Sequence, residues 1–272
     1  MDVYRTPDQR FDGLPGFPFE PHYTEIERLC VHHVDEGAGD PILLLHGEPT
    51  WSFLYRRMIP ILAAAGHRAL APDYLGFGRS DKPTDRGFYT YDMHVSTVTA
   101  LAERLDLSRI TVAVQDWGGP IGLRFAAENA ERVARLVVLN TGLMFPSERW
   151  RTPAFLRWRT FAERTGLELP VGFIVQGGTV TDLPPEVIAG YEAPFPTPES
   201  KTGAAMFPLL VPIAEGIRAS RRCWPRATRW AGGRSRRTRV RHRRLALPAG
   251  GQGGGDRRTG PPVPGRDGLI GP

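Results

Sequence analysis

The segment Val112-Ala113-Val114-Gln115-Asp116-Trp117-Gly118-Gly119 is an apolar strand pattern that ends on an acid and runs into small residues at the start of a helix. That is the layout of a nucleophile elbow. A sharp strand-to-helix turn lifts one side chain to the C-terminal edge of a sheet, and small flanking residues relieve the crowding. The lifted residue is Asp116 rather than a serine. A carboxylate is a poor group for acyl transfer from an ester, but it can displace a leaving group from an sp³ carbon and form an ester intermediate. The chemistry implied is alkyl transfer.

An aspartate after a strand also commonly N-caps the next helix, so Asp116 alone does not decide between the two roles. A second motif, His46-Gly47-Glu48-Pro49-Thr50-Trp51, shifts the balance. It follows the apolar run Ile42 to Leu45, where a hydrolase of this layout places its oxyanion loop. Two matched motifs at the expected separation favour the nucleophile.

The elements that must position these residues alternate. Thr24 to Val34, Ile42 to Leu45, His67 to Ala71, Ile110 to Val114 and Val133 to Leu139 read as strands. Trp51 to Ala65 reads as a helix stopped by Gly66, where a left-handed residue is easiest for glycine. Thr90 can N-cap a helix to about residue 106, and Gly118 to Asn129 reads as another. Strands alternating with helices predict an α/β fold with a mostly parallel sheet and flanking helices. From Thr141 the alternation breaks into Pro-punctuated, aromatic-rich helical pieces, which predicts a helical cap over 141–216 on a core of 1–140.

Taken together, Arg5-Thr6-Pro7-Asp8, the His46 to Trp51 run, Asp73 through Pro83, the Gln115 to Gly119 elbow and Ala193-Pro194-Phe195-Pro196 resemble the haloalkane dehalogenases of the α/β-hydrolase superfamily. The resemblance holds in unbroken order to about residue 215. Glu48 is similar to the branch of that family whose second halide ligand is a cap tryptophan. By this resemblance Asp116 attacks the halogen-bearing carbon, and the backbone N–H groups of Glu48 and Trp117 form the oxyanion hole. Trp117 matches the first halide ligand. Trp158, in Phe155-Leu156-Arg157-Trp158, is chosen as the second, with Trp150 as its competitor. An indole N–H donates and never accepts, so two of them in an apolar ring can bind a large, weakly hydrated anion without inviting water.

Other features take plain readings. Asp73 to Gly78 contains a G-x-G but no dinucleotide fingerprint, so it reads as a glycine-rich turn. Gly177-Gly178 reads as a turn as well. His32, His33, His67 and His94 lack metal-ligand spacing, and neither a metal nor an organic cofactor is implied. An epoxide hydrolase also uses an elbow aspartate, but that family usually has His before it and lid tyrosines. Here Gln115 precedes Asp116, and the cap offers Tyr191 alone.

The family's general base is a histidine near the C-terminus oriented by an upstream acid, and neither has a match here. His242 sits among arginines, which disfavour the protonated form a base must reach, and Asp256 and Asp267 lack a delivering strand. Charge divides at the same place. Residues 1–216 carry 20 Lys and Arg against 27 acids, whereas 217–272 carry 15 Arg, no Lys and two acids. The overall +6 therefore belongs to the tail alone. A tail of Arg, Gly, Pro and Ala predicts no packed element. It also matches the out-of-frame reading of a GC-rich gene, with the shift near residues 213–218. A selected nucleic-acid arm is the competing explanation, against which the missing catalytic half weighs. No nucleic-acid partner is therefore expected. The remaining alternative is an inactive remnant with no enzymatic function.

No apolar run reaches the roughly 18 to 20 residues of a membrane span, and the first residues carry no secretory pattern. Cys30 and Cys223 are too far apart in sequence to suggest a disulfide framework. A monomer in the reducing cytosol, acting on a small haloalkane and releasing a halide ion, is the resulting expectation.

Overall fold

Two of the chain's most apolar runs, Pro41–Leu45 (β4) and Ile110–Gln115 (β7), lie side by side in the middle of the sheet. The computed structural model describes residues 1–142 and 152–211. Around that central pair stand His22–Ile26 (β2), Leu29–Glu36 (β3), Arg68–Pro72 (β5) and Val133–Leu139 (β8). The six strands take the order β2-β3-β5-β4-β7-β8. The β5-β4, β4-β7 and β7-β8 pairs are parallel, and β2-β3 and β3-β5 are antiparallel. Parallel strands covered on both faces must be apolar on both, which is why β4 reads as a continuous run with all five residues buried. A small antiparallel pair joins Val3–Tyr4 (β1) to Lys82–Pro83 (β6).

The single strand expected over Thr24 to Val34 is in fact a hairpin of β2 and β3, with Ile26 opposite Leu29. Its turn residues, Glu27 and Arg28, both adopt positive φ, 49° and 70°. A two-residue turn of that hand is usually marked by Asn-Gly, a signal that Glu27-Arg28 lacks. The helix expected from Trp51 to Ala65 is likewise divided. Ser52–Tyr55 form a 3₁₀ turn, and the helix proper is Met58–Ala64 (α1). Starting at Met58 keeps Pro60 in the first turn, where its missing N–H removes no intrahelical bond. Gly66 closes the element at φ +83°, as its position predicts.

Tyr91–Arg104 (α2) begins where Thr90 accepts a hydrogen bond from the Met93 N–H at 3.0 Å, and Gly118–Glu128 (α3) follows β7 directly. Beyond β8 the described chain is helical. Pro153–Thr165 (α4), Val171–Gly177 (α5), Pro185–Glu192 (α6) and Thr202–Leu210 (α7) lie where the sequence places a cap. They share a core with the sheet domain, since Tyr191, Phe195 and Phe207 pack into the cluster that holds Phe53 and Phe77. Buried side-chain bonds, including that of Arg56 to the Tyr191 hydroxyl, tie the halves together. Thr6 Oγ1 donates to the Pro194 carbonyl at 2.7 Å, and Trp51 Nε1 donates to the Gly190 carbonyl at 3.1 Å. The proposed tail, with Cys223, His242, Asp256 and Asp267, lies outside the described residues, as does Trp150.

Among the described residues no strand lies beyond β8, and its residues Leu136, Val137, Val138 and Leu139 are 38 to 53% exposed. A flat apolar edge with unpaired backbone groups is a template for association. Val138→Lys is therefore expected to reduce concentration-dependent association in light scattering while changing stability by less than about 0.5 kcal/mol. A large fall in Tm instead would mean that this face is covered in solution.

Candidate active site

Asp116 stands at the tip of β7 with φ +49°, a conformation that costs a non-glycine residue roughly 1 to 3 kcal/mol. The surroundings hold it there. Its N–H donates to the Asn140 carbonyl at 3.1 Å, and its own carbonyl accepts from the Gly119 N–H at 2.9 Å and from Thr141 Oγ1. At Gly118 a Cβ would collide with the Leu45 carbonyl of the neighbouring strand, so only glycine lets the helix start this close to β4. The turn is a strained elbow, not a simple N-cap: no side-chain cap bond forms at the start of α3.

The carboxylate is gripped from the adjacent loop. The Glu48 N–H donates to Asp116 Oδ1 at 2.8 Å, and the Trp117 N–H also hydrogen-bonds the group. Burial pushes the Asp116 carboxyl above its ordinary value, and these two N–H groups oppose that by favouring the anion. The Glu48 carboxyl is pushed well up by burial and then by the Asp116 charge, and its Oε1 has no hydrogen-bond partner.

Asp73, read from sequence only as part of a turn, turns out to anchor the loop that carries Glu48. It is fully buried and accepts from His32 Nδ1 at 2.7 Å, from the Ser52 N–H at 2.7 Å and from the Arg79 N–H at 2.9 Å. Burial alone would raise its carboxyl, but the charge and hydrogen bond of His32, with His46 and the Ser52 N–H, hold it far below the usual carboxylate range. His46 completes the brace. The Tyr74 N–H donates to Nε2 at 3.2 Å, which assigns the other proton to Nδ1, donating to the Gly47 carbonyl at 2.8 Å. An Asp at the start of a glycine-rich turn was the available signal; Arg79 lies in that same turn, but His32 and Ser52 come from two other segments and no local pattern announces them.

Trp117 is 5% exposed and lies face to face with Phe207 of α7, centroids 4.7 Å apart. Trp51 is buried beside Phe11, Phe17 and Phe53, and its N–H is already committed to Gly190, which removes it as an anion donor. Tyr191, the cap tyrosine, has its hydroxyl against the Arg56 guanidinium at 3.4 Å. Among the described residues no three acids, histidines or cysteines cluster as a metal site.

This chain matches the family model for the alpha/beta hydrolase fold over residues 40–168. It is 53% identical over 241 residues to a haloalkane dehalogenase of Mycobacterium marinum, covering 85% of this chain and 80% of that protein. It is 48% identical over 244 residues to one of Psychrobacter cryohalolentis, covering 85% of this chain and 78% of that protein. A solved tetrameric haloalkane dehalogenase of Paraglaciecola agarilytica superimposes with a TM-score of 0.73 at 39% identity, covering 78% of this chain and 72% of that one. The chain belongs to the haloalkane dehalogenase family.

For a member of that family the structure brings Glu48, Asp116 and Trp117 together at the sheet edge. Trp158 is half-buried on α4 and stacks on Phe161 at 5.7 Å. Helix α7 packs against α4 and carries Phe207, the ring that covers Trp117. No hydrogen bond among the described residues engages either indole N–H.

The wall beside Trp117 makes the dehalogenase fold acid-sensitive. His94 is 1% exposed among Tyr74, Tyr89 and Phe207, and neither ring nitrogen has a partner. Burial, then the His46 charge, lowers it from 6.5 to about 3, while burial lowers His33 and His46 to about 4. Between those values and 6.5 the unfolded chain binds more protons than the folded one, so stability falls as pH drops through that window. His94→Leu removes one such proton site and an unpaired buried polar ring. Thermal melts are expected to show an acid transition shifted to lower pH with Tm at pH 7 held or raised; an unchanged pH dependence would refute it.

Proposed function

We propose that this chain carries out the alkylation half of hydrolytic dehalogenation and stalls before the second half. The observation that carries the reading is Asp116, raised on a strained turn with its carboxylate held by the Glu48 N–H at 2.8 Å. One carboxylate oxygen attacks the halogen-bearing carbon of a haloalkane, the C–halogen bond breaks, and the halide leaves with the bonding pair. The product is an alkyl ester on Asp116. The Trp117 and Trp158 indole N–H groups receive the halide as charge develops on it. The N–H groups of Glu48 and Trp117 would hold the oxyanion when water attacks the ester carbonyl.

That second step needs a base. The described histidines nearest the site are unsuited to it: His46 has both ring nitrogens occupied, and His94 is sealed among aromatic rings. Residues 217–272 offer His242, Asp256 and Asp267 without a strand pattern to deliver them, as an out-of-frame tail would. The proposed working unit is a single chain in a reducing cytosol, in keeping with two cysteines far apart in sequence.

Intact-mass measurement after incubation with a short primary bromoalkane is expected to show one alkyl adduct on Asp116 and about one bromide released per chain. Asp116→Asn is expected to abolish both. Continued bromide release beyond one equivalent would overturn the stall, and absence of any adduct would favour an inactive remnant.

A further inference from the structure

Phe207 on α7 covers Trp117, and the polar attachment between α7 and α4 among the described residues runs through Arg159. Its Nη1 donates to the carbonyls of Pro208 at 3.3 Å, Leu209 at 3.2 Å and Val211 at 3.2 Å. Its Nε donates to Glu163 Oε1 at 3.0 Å, one turn along α4, which fixes the guanidinium in orientation. The last carbonyls of a helix have no partner within it and form the negative end of its dipole. A planar, permanently charged fork with several donors suits that end better than any other side chain. The adjacent residue is Trp158, whose ring is held to α4 by its stack on Phe161. The seat of α4 on the end of α7 therefore sets where the Trp158 indole stands relative to Trp117.

We propose that Arg159 is a positioning residue for halide binding, which by capping the end of α7 from α4 sets the spacing of the two indole donors. The inference rests on the reading that Trp117 and Trp158 receive the halide. Arg159 touches neither the halide nor the substrate, so its effect is transmitted through helix placement. Loss of the cap leaves Asp116 and its N–H donors in place while loosening the anion site.

The test is bromide titration by tryptophan fluorescence, alongside the rate of Asp116 adduct formation by intact mass, on the full chain. Arg159→Ala is expected to raise the bromide Kd about tenfold, the equivalent of one charged hydrogen bond's net contribution. Arg159→Lys, which keeps a charge but not the fork, should recover part of that. Glu163→Ala frees the guanidinium and should weaken bromide binding in the same direction by less, and it decides the matter if Arg159→Ala does not fold. A bromide Kd within twofold of the parent in folded Arg159→Ala, even with a lowered Tm, overturns the proposal. So does an unmodified chain that forms the Asp116 adduct with no bromide-dependent quenching. Absence of the adduct with quenching intact counts against the alkylation reading alone.

Discussion

A single hydrogen bond from the Glu48 N–H to Asp116 joins two loops that are 68 residues apart, and the remainder of the site is arranged so that it can form. It requires β4 and β7 to be neighbours in parallel register, so that the loops leaving their C-terminal ends meet at one sheet edge. It requires Asp116 to hold a backbone conformation that an aspartate resists, and the N–H and carbonyl bonds around the elbow supply that constraint. It also requires the Glu48 loop to stay in place, which the buried Asp73 secures through Ser52 on one side and Arg79 on the other. The Asp116 carboxylate is thus held in place through a second buried carboxylate, that of Asp73.

The two acids nearest the reacting position are kept in different states by their surroundings. Asp116 has two N–H donors that favour its anion, whereas Glu48 has an orphaned oxygen and a negative neighbour, and burial raises its carboxyl further. Like charges at close quarters repel, so the two N–H donors to Asp116 and the unpartnered Glu48 oxygen favour one negative charge there rather than two.

The helices after β8 belong to the same core as the sheet, and among the described residues side-chain hydrogen bonds from Thr6, Arg10, Trp51 and Arg56 reach them. Phe207 stacks on Trp117, and Arg159 fastens α4 to the end of α7.

The turn at Asp116, the central strands and the helical pieces after β8 were legible in the sequence because each depends on local pattern: apolar runs, small residues after an acid, and prolines between helices. Local pattern also misled where backbone hand and proline placement intervened, at the Glu27-Arg28 hairpin and at Pro60. The pairing of Asp73 with His32 and Ser52 and the commitment of the Trp51 N–H to Gly190 were decided only by the tertiary structure. The physical reason is common to both. Residue type states what a side chain can donate or accept, but which group it meets is fixed by contacts between segments far apart in the chain.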